Sequence, residues 1–230
     1  MTDFDAWTAR ELDRLDAARL KSPLWPRFGP GKLLDYVLWR RRDLIRRDGL
    51  WLEFGVHKGS TINRIAKAAP GLVHGFDSFE GLPEDWNRGR QISRKGAFDL
   101  GGALPKVRAN VRLHKGWFEE TLPPFLAETP GDVAFLHVDC DLYSSTKTVF
   151  EALGDRIGPG TVMVFDELIN YATFREHEWR ALYELVRETG LAFDWIGTFG
   201  GVRRDFDGYM GFARERADHG RDPEAALIIV

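Results

Sequence analysis

Cysteine is nearly absent from this 230-residue chain. Cys140 stands alone, which excludes an intrachain disulfide framework and any zinc site built from several cysteines. No stretch reaches the roughly eighteen uninterrupted apolar residues of a membrane-spanning helix. The opening MTDFDAWTARELDRLDAARL has no basic region followed by an apolar core. Both absences predict a cytoplasmic protein, neither exported nor membrane-embedded. Charge of one sign is lacking too: 32 basic and 35 acidic residues leave a net charge of -3, so nothing marks a nucleic-acid or membrane-surface binder. The arginines Arg40, Arg41, Arg42, Arg46 and Arg47 read as a solvated helix face. Neither a G-x-G-x-x-G dinucleotide fingerprint nor a G-x-S-x-G nucleophile elbow occurs, and no period of 20 to 50 residues recurs.

What is present is 43% hydrophobic residues, enough for one sizeable core. From about residue 32 onward, short apolar runs alternate with turns and amphipathic stretches, the pattern of an α/β fold around a mostly parallel sheet. LWLEF, LVHGF, VRLHK, DVAFLHVD and TVMVFD read as strands. SSTKTVFEALGDRI and EHEWRALYELVRETG read as helices, the second stopped by Gly190. FDWIGT and GYMGFAR are expected to close the sheet as a hairpin-like pair. Residues 1–31, a helix and the broken connector SPLWPRFGPG, are expected to form a lid outside the core. The main domain then spans 32–214, and 215–230 is a tail whose AALIIV packs on a neighbour or stays loose. The polar insertion 84–109 should lie over something or be mobile.

Ligands of open parallel sheets bind above the carboxyl ends of the strands, and four of these five strands end in informative residues. The turn after LWLEF carries Gly55 and Gly59 in an E-x-G-x-x-x-G spacing, where glycine serves either a ligand or simply the backbone. Asp77 closes the next strand and suits the ribose hydroxyls of an adenosine. Asp139 and Asp141 follow the fourth strand and are expected on one face by alternation. Asp166 and Glu167 follow the neighbouring strand. Carboxylates gathered at one spot repel unless a hard cation such as magnesium lies between them. Asp141 also reads as a helix cap. Four histidines, His57, His114, His137 and His177, are weighed as a general base, and His137 ranks next after the acids.

The blocks EFGVHKGST, FDSFEGLPEDW, HVDCDLYSSTKTVFEAL and FDELINY together resemble the macrocin O-methyltransferase family of class I S-adenosylmethionine-dependent methyltransferases, over roughly residues 50 to 200. The resemblance implies a single Rossmann-like domain with a seven-stranded, mostly parallel sheet. It implies that Gly55 and Gly59 cradle the methionine part of S-adenosylmethionine, with Ser60 or Thr61 at its carboxylate and Glu53 at its amine. Asp77 would take the ribose, Ser78 and Phe79 would border the adenine, and Trp117 or Phe118 would cover the other side. Asp139 with the Asp166 and Glu167 pair would hold Mg2+ or another divalent cation, and Asp141 would be the base. Glu167 stands where the family pattern has aspartate. The acceptor is expected to be a small-molecule hydroxyl, on a sugar or glycoside of a natural product, contacted by Tyr143, Asn170, Tyr171 and the 84–109 insertion. A catechol-type acceptor, a metal-dependent glycosyltransferase using D-x-D and a non-catalytic cofactor-binding module are the alternatives, and a homodimer stays open.

Overall fold

The computed structural model describes residues 2–20, 32–206 and 223–230. In chain order its elements are α1 (Asp3–Ala17), α2 (Lys32–Arg40), β1 (Leu50–Phe54), α3 (Ser60–Ala68), β2 (Val73–Asp77), β3 (Trp86–Asn87), β4 (Ile92–Ser93), β5 (Val111–Lys115) and α4 (Phe118–Glu128). They continue as β6 (Val133–Val138), α5 (Tyr143–Leu153), β7 (Val162–Phe165), α6 (Glu178–Thr189), β8 (Phe193–Gly197) and β9 (Ala225–Ile229).

Seven strands form one sheet in the order β5-β2-β1-β6-β7-β9-β8. The first five are mutually parallel, and β9 runs antiparallel to both β7 and β8. β1, β6 and β7 are buried along their whole length, which is why they read as nearly unbroken apolar runs. On one face Leu52, Phe54, Leu136 and Phe165 meet α4, α5 and α6. On the other, Trp51, Phe135 and Val164 meet α2 and α3. The chain is therefore three layers deep. In α3, Ile62, Ile65 and Ala66 recur at helical spacing and bury one stripe.

Two expectations fail at the ends of the chain. Trp7, Leu12 and Leu15 of α1 are buried in the main core, with Trp7 against Trp179 and Arg14 bonded to the Phe193 carbonyl and Asp194. α1 is thus part of the wall and lines none of the cleft described below, so it is no lid; residues 21–31 lie outside the described residues. The stretch AALII is a fully paired strand, β9, inserted between β7 and β8. It is no tail; an isolated apolar run carries no sign of which strands will flank it. The expected partner of β8, GYMGFAR, lies outside the described residues.

The 84–109 insertion folds over the carboxyl edge of the sheet. β3 and β4 pair as a short antiparallel ribbon. Leu100 and Gly102 donate to the Phe79 carbonyl, and Leu82 donates to Ala97. Among the described residues, no helix is long and apolar enough to cross a membrane.

Candidate active site

Above the carboxyl ends of β1, β2, β6 and β7 lies a cleft of about 520 Å³, lined by Gly55, Asp77, Ser78, Trp117, Phe118, Asp139, Asp141, Asp166 and Glu167 among the residues singled out from sequence. Its size is ordinary for a small-molecule site. Trp86, Arg88 and Phe98 of the insertion, with His57, Ser144, Ser145 and Thr148, complete the walls.

The turn after β1 owes its glycines to the backbone itself. Gly55 has a φ of +88°, and a side chain there would collide with the Asp139 carbonyl of the adjacent strand. Gly59, at +77°, is the left-handed N-cap of α3. Asp77 braces this turn: one carboxylate oxygen accepts from the amides of Val56 and His57, both at 2.8 Å, and the other from Phe79 at 2.6 Å.

Glu53 lies beneath the cleft rather than in its wall. It is fully buried, side by side in register with His137, whose Nδ1 is 2.9 Å from Glu53 Oε1. Burial drives the Glu53 carboxyl upward, opposed by the bond to His137 and its charge. Glu53 Oε2 and His137 Nε2 have no hydrogen-bond partner among the described residues. His137 is consequently held within the sheet and is no wall residue.

The acids converge. Asp139, Asp166 and Glu167 present carboxylate oxygens that all lie within 4.8 Å of one another. Burial and the neighbouring charges, Asp166 foremost, push Asp139 and Glu167 well above the usual carboxylate range. Asp141 is pushed up to about 7, by burial first and then by Asp166, against a hydrogen bond from Glu167 and the charge of Arg88. The donor set is oxygen throughout and strongly self-repelling, which fits a hard divalent cation. Asp141 joins the cluster by a route that strand alternation does not provide. β6 ends at Val138, and the chain then kinks through a left-handed Asp141 with φ +65°. The cap reading of Asp141 is excluded: Leu142 occupies the N-cap of α5, which has no side-chain cap bond.

Other expected residues fall away from the cleft. Gly59, Ser60, Thr61 and Phe79 support it from behind without lining it. Tyr143 turns to α6, donating to Glu184 at 2.8 Å. Tyr171 is wholly buried. Asn170, also buried, accepts from the Arg203 amide at 2.7 Å and so ties the 201–203 segment down. These three fail as cleft contacts because the chain after β7 turns inward and packs, a feature that proximity in sequence to Asp166 does not convey. The insertion, by contrast, supplies Trp86, with Arg88 stacked 4.2 Å over its ring, and Phe98, in edge contact with His57. His57, Phe98 and Asp141 are non-glycine residues in left-handed conformations, and all three line the cleft. Backbone strain of this kind gathers at functional sites.

A Rossmann-like sheet with a braced glycine turn and an acidic pocket above its switch in strand order defines a methyltransferase-type site. The family model described as "Methyltransferase domain" matches residues 52–168, about half of the chain, and the chain belongs to that family. It is 30% identical over 170 residues to the 8-demethyl-8-(2,3-dimethoxy-alpha-L-rhamnosyl)-tetracenomycin-C 4'-O-methyltransferase of Streptomyces olivaceus, covering 67% of this chain and 59% of that one. It is 29% identical over 176 residues to the demethyldecarbamoylnovobiocin O-methyltransferase of Streptomyces niveus, covering 69% and 62%. The chain thus spans about three fifths of the length of these relatives. The calicheamicin methyltransferase CalS11 shares the fold, with a TM-score of 0.55, 21% identity and coverage of 99% of this chain and 93% of that one. Membership of a methyltransferase family removes the glycosyltransferase reading of D-x-D.

Proposed function

We propose that the protein is an S-adenosylmethionine-dependent, divalent-metal-dependent O-methyltransferase of the macrocin type, acting on a hydroxyl of a small molecule, a sugar or glycoside. The observation that carries this reading is the cluster of Asp139, Asp166 and Glu167 with Asp141 beside it, at the carboxyl edge of a methyltransferase sheet. S-adenosylmethionine supplies the methyl group. Asp139, Asp166 and Glu167 would hold a divalent cation, which would supply Lewis acidity to lower the pKa of the acceptor hydroxyl.

The chain's own residues do the rest. Asp141 would accept the acceptor's hydroxyl proton on its carboxylate; the methyl group would pass from sulfur to that oxygen, with the S–CH3 bond breaking and S-adenosylhomocysteine leaving. Asp77 holds the glycine turn and keeps lone pairs for the ribose. Trp117 and Phe118, at the start of α4, close the side of the cleft and keep water out. The acceptor side combines Phe98 of the insertion, whose ring is about half exposed, with Ser144, Ser145 and Thr148 on one face of α5. An aromatic ring together with hydroxyls suits a sugar. The two Streptomyces relatives are named for methylation of glycosylated natural products.

Titration calorimetry with S-adenosylmethionine tests the donor, and methyl transfer to a panel of free and aryl glycosides with magnesium or excess EDTA tests the rest. Binding of the cofactor and magnesium-dependent transfer are expected. Full transfer in excess EDTA would sink the metal assignment, and absence of cofactor binding the whole reading.

A further inference from the structure

Glu178 is a fifth acid near the cluster, and the reaction as outlined leaves it without a task. It opens α6 and is completely buried, yet it does not cap that helix. Its Oε1 accepts from the Asp141 amide at 3.2 Å, across 37 residues of sequence. Its other oxygen has no hydrogen-bond partner among the described residues, and it is not one of the three acids that can share an ion. α6 is itself rigidly seated: Ala181, Leu182 and Leu185 are buried, and Trp179 donates to Thr8 of α1 at 3.0 Å.

The segment that Glu178 holds is the strained one. Asp141 sits at φ +65°, and Leu142 N–H folds back on the Cys140 carbonyl at 2.6 Å. A left-handed, non-glycine residue persists only where surrounding contacts over-determine it. The kink also leaves the amides of Cys140 and Asp141 outside the sheet ladder, in need of an acceptor. A buried carboxylate is an expensive acceptor for the purpose, since an apolar residue of the same volume often stabilises a core better. Its retention calls for a role other than stability.

We infer that Glu178 is the positioning residue for Asp141: by accepting the Asp141 backbone amide it fixes the direction in which the Asp141 carboxylate enters the cleft. The inference rests on the reading of Asp141 as the base. Removing the acceptor lets the kink relax, while the cofactor turn keeps its own bonds to Asp77. Asp166 and Glu167 stay at the end of β7, and Asp139 stays tied by its amide to the Phe54 carbonyl at 2.9 Å.

The test compares Glu178→Met, Glu178→Leu and Glu178→Gln in the full chain. Amide hydrogen exchange is followed at Cys140, Asp141 and, as a control, Ala181 to Leu185. The two apolar variants should exchange at least about tenfold faster at Cys140 and Asp141 alone. Glutamine keeps one accepting oxygen and should restore protection. With an aryl rhamnoside as acceptor probe, the apolar variants should lose about 10²-fold in kcat, the scale of a misplaced catalytic group. KM and cofactor affinity should be unchanged, and glutamine should recover most of the loss. Unchanged exchange at Cys140 and Asp141 in folded Glu178→Met or Glu178→Leu overturns the inference, whatever the turnover. Full turnover in Asp141→Asn overturns the base assignment instead, and the exchange data then still decide whether Glu178 holds the Asp141 amide.

Discussion

Asp77→Ala separates two roles that coincide in one carboxylate. The side chain accepts three backbone amides, at 2.8, 2.8 and 2.6 Å, before any ligand is bound. Hydrogen bonds to a charged group are each worth about 1.5 to 3 kcal/mol net. Asp77 is half-buried, so water replaces part of that, and a combined loss of about 3 to 5 kcal/mol is expected in the ligand-free protein. At about 2 to 4 °C per kcal/mol for a chain of this size, the melting temperature should fall by about 6 to 20 °C. Asp77→Asn should lie between, because an amide retains one accepting oxygen and sets its own N–H against the third donor. Scanning calorimetry without ligand reads this effect, and titration with S-adenosylmethionine reads the second. There the loss should be at least about tenfold, from a missing ribose contact and a loosened turn. A ligand-free melting temperature within about 2 °C of wild type, with cofactor binding abolished, would refute the brace and leave Asp77 a ligand contact only.

Four further outcomes are expected. Asp139→Asn and Asp166→Asn should behave like the chelated enzyme, with transfer lost and cofactor affinity retained by calorimetry; wild-type transfer in either would remove it from the metal site. Asp141→Asn should keep cofactor and cation binding while turnover drops by about 10²- to 10⁴-fold, the usual worth of general base catalysis. Asp141 is raised to about 7 and His74 lowered to about 4, each by burial first, so they act oppositely on stability. The raised acid contributes stability that is present below the ordinary carboxylate range and lost as pH rises through about 7. The lowered histidine contributes stability that is present above its ordinary 6.5 and lost as pH falls toward 4. Asp141→Asn should flatten the alkaline side of a melting-temperature profile taken without divalent cations, and His74→Gln the acid side; an unchanged profile would contradict the assignments. Gly55→Ala should fail to yield soluble protein or lose most of its stability, measured by urea unfolding, because its methyl group meets the Asp139 carbonyl.

Much of the site was legible because it sits at strand ends, and strands announce themselves. The runs ending at Phe54, Asp77, Val138 and Phe165 fix where the cleft must open, and the acids at those ends follow. What was not legible depends on direction. Asp141 reaches the cluster through a left-handed kink, which no alternation rule contains. Tyr143, Asn170 and Tyr171 stand next to the acids in sequence, but helix α5 and the inward turn after β7 aim them at α6, the 201–203 segment and the core. Glu178 stands eleven residues beyond Glu167 and carries no motif; an acid at a helix start reads as an ordinary dipole partner. Trp86 and Phe98 belong to the insertion rightly suspected of lying over something, though nothing in its polar composition singles those rings out.

The position of β9 has a consequence for the order of events during synthesis. β8 emerges from the ribosome before β9, its one neighbour in the sheet, and β7 likewise waits with the edge that β9 will cover still bare. Both are joined only when residues 225–229 arrive, 28 residues after β8 ends. Until then the nascent chain exposes two strand edges that invite pairing with other chains. The parallel half can assemble early, but cooperativity of the whole sheet is deferred until β9 has been made. Loss of a few residues from that strand would therefore release an aggregation-prone intermediate rather than a shortened, working enzyme.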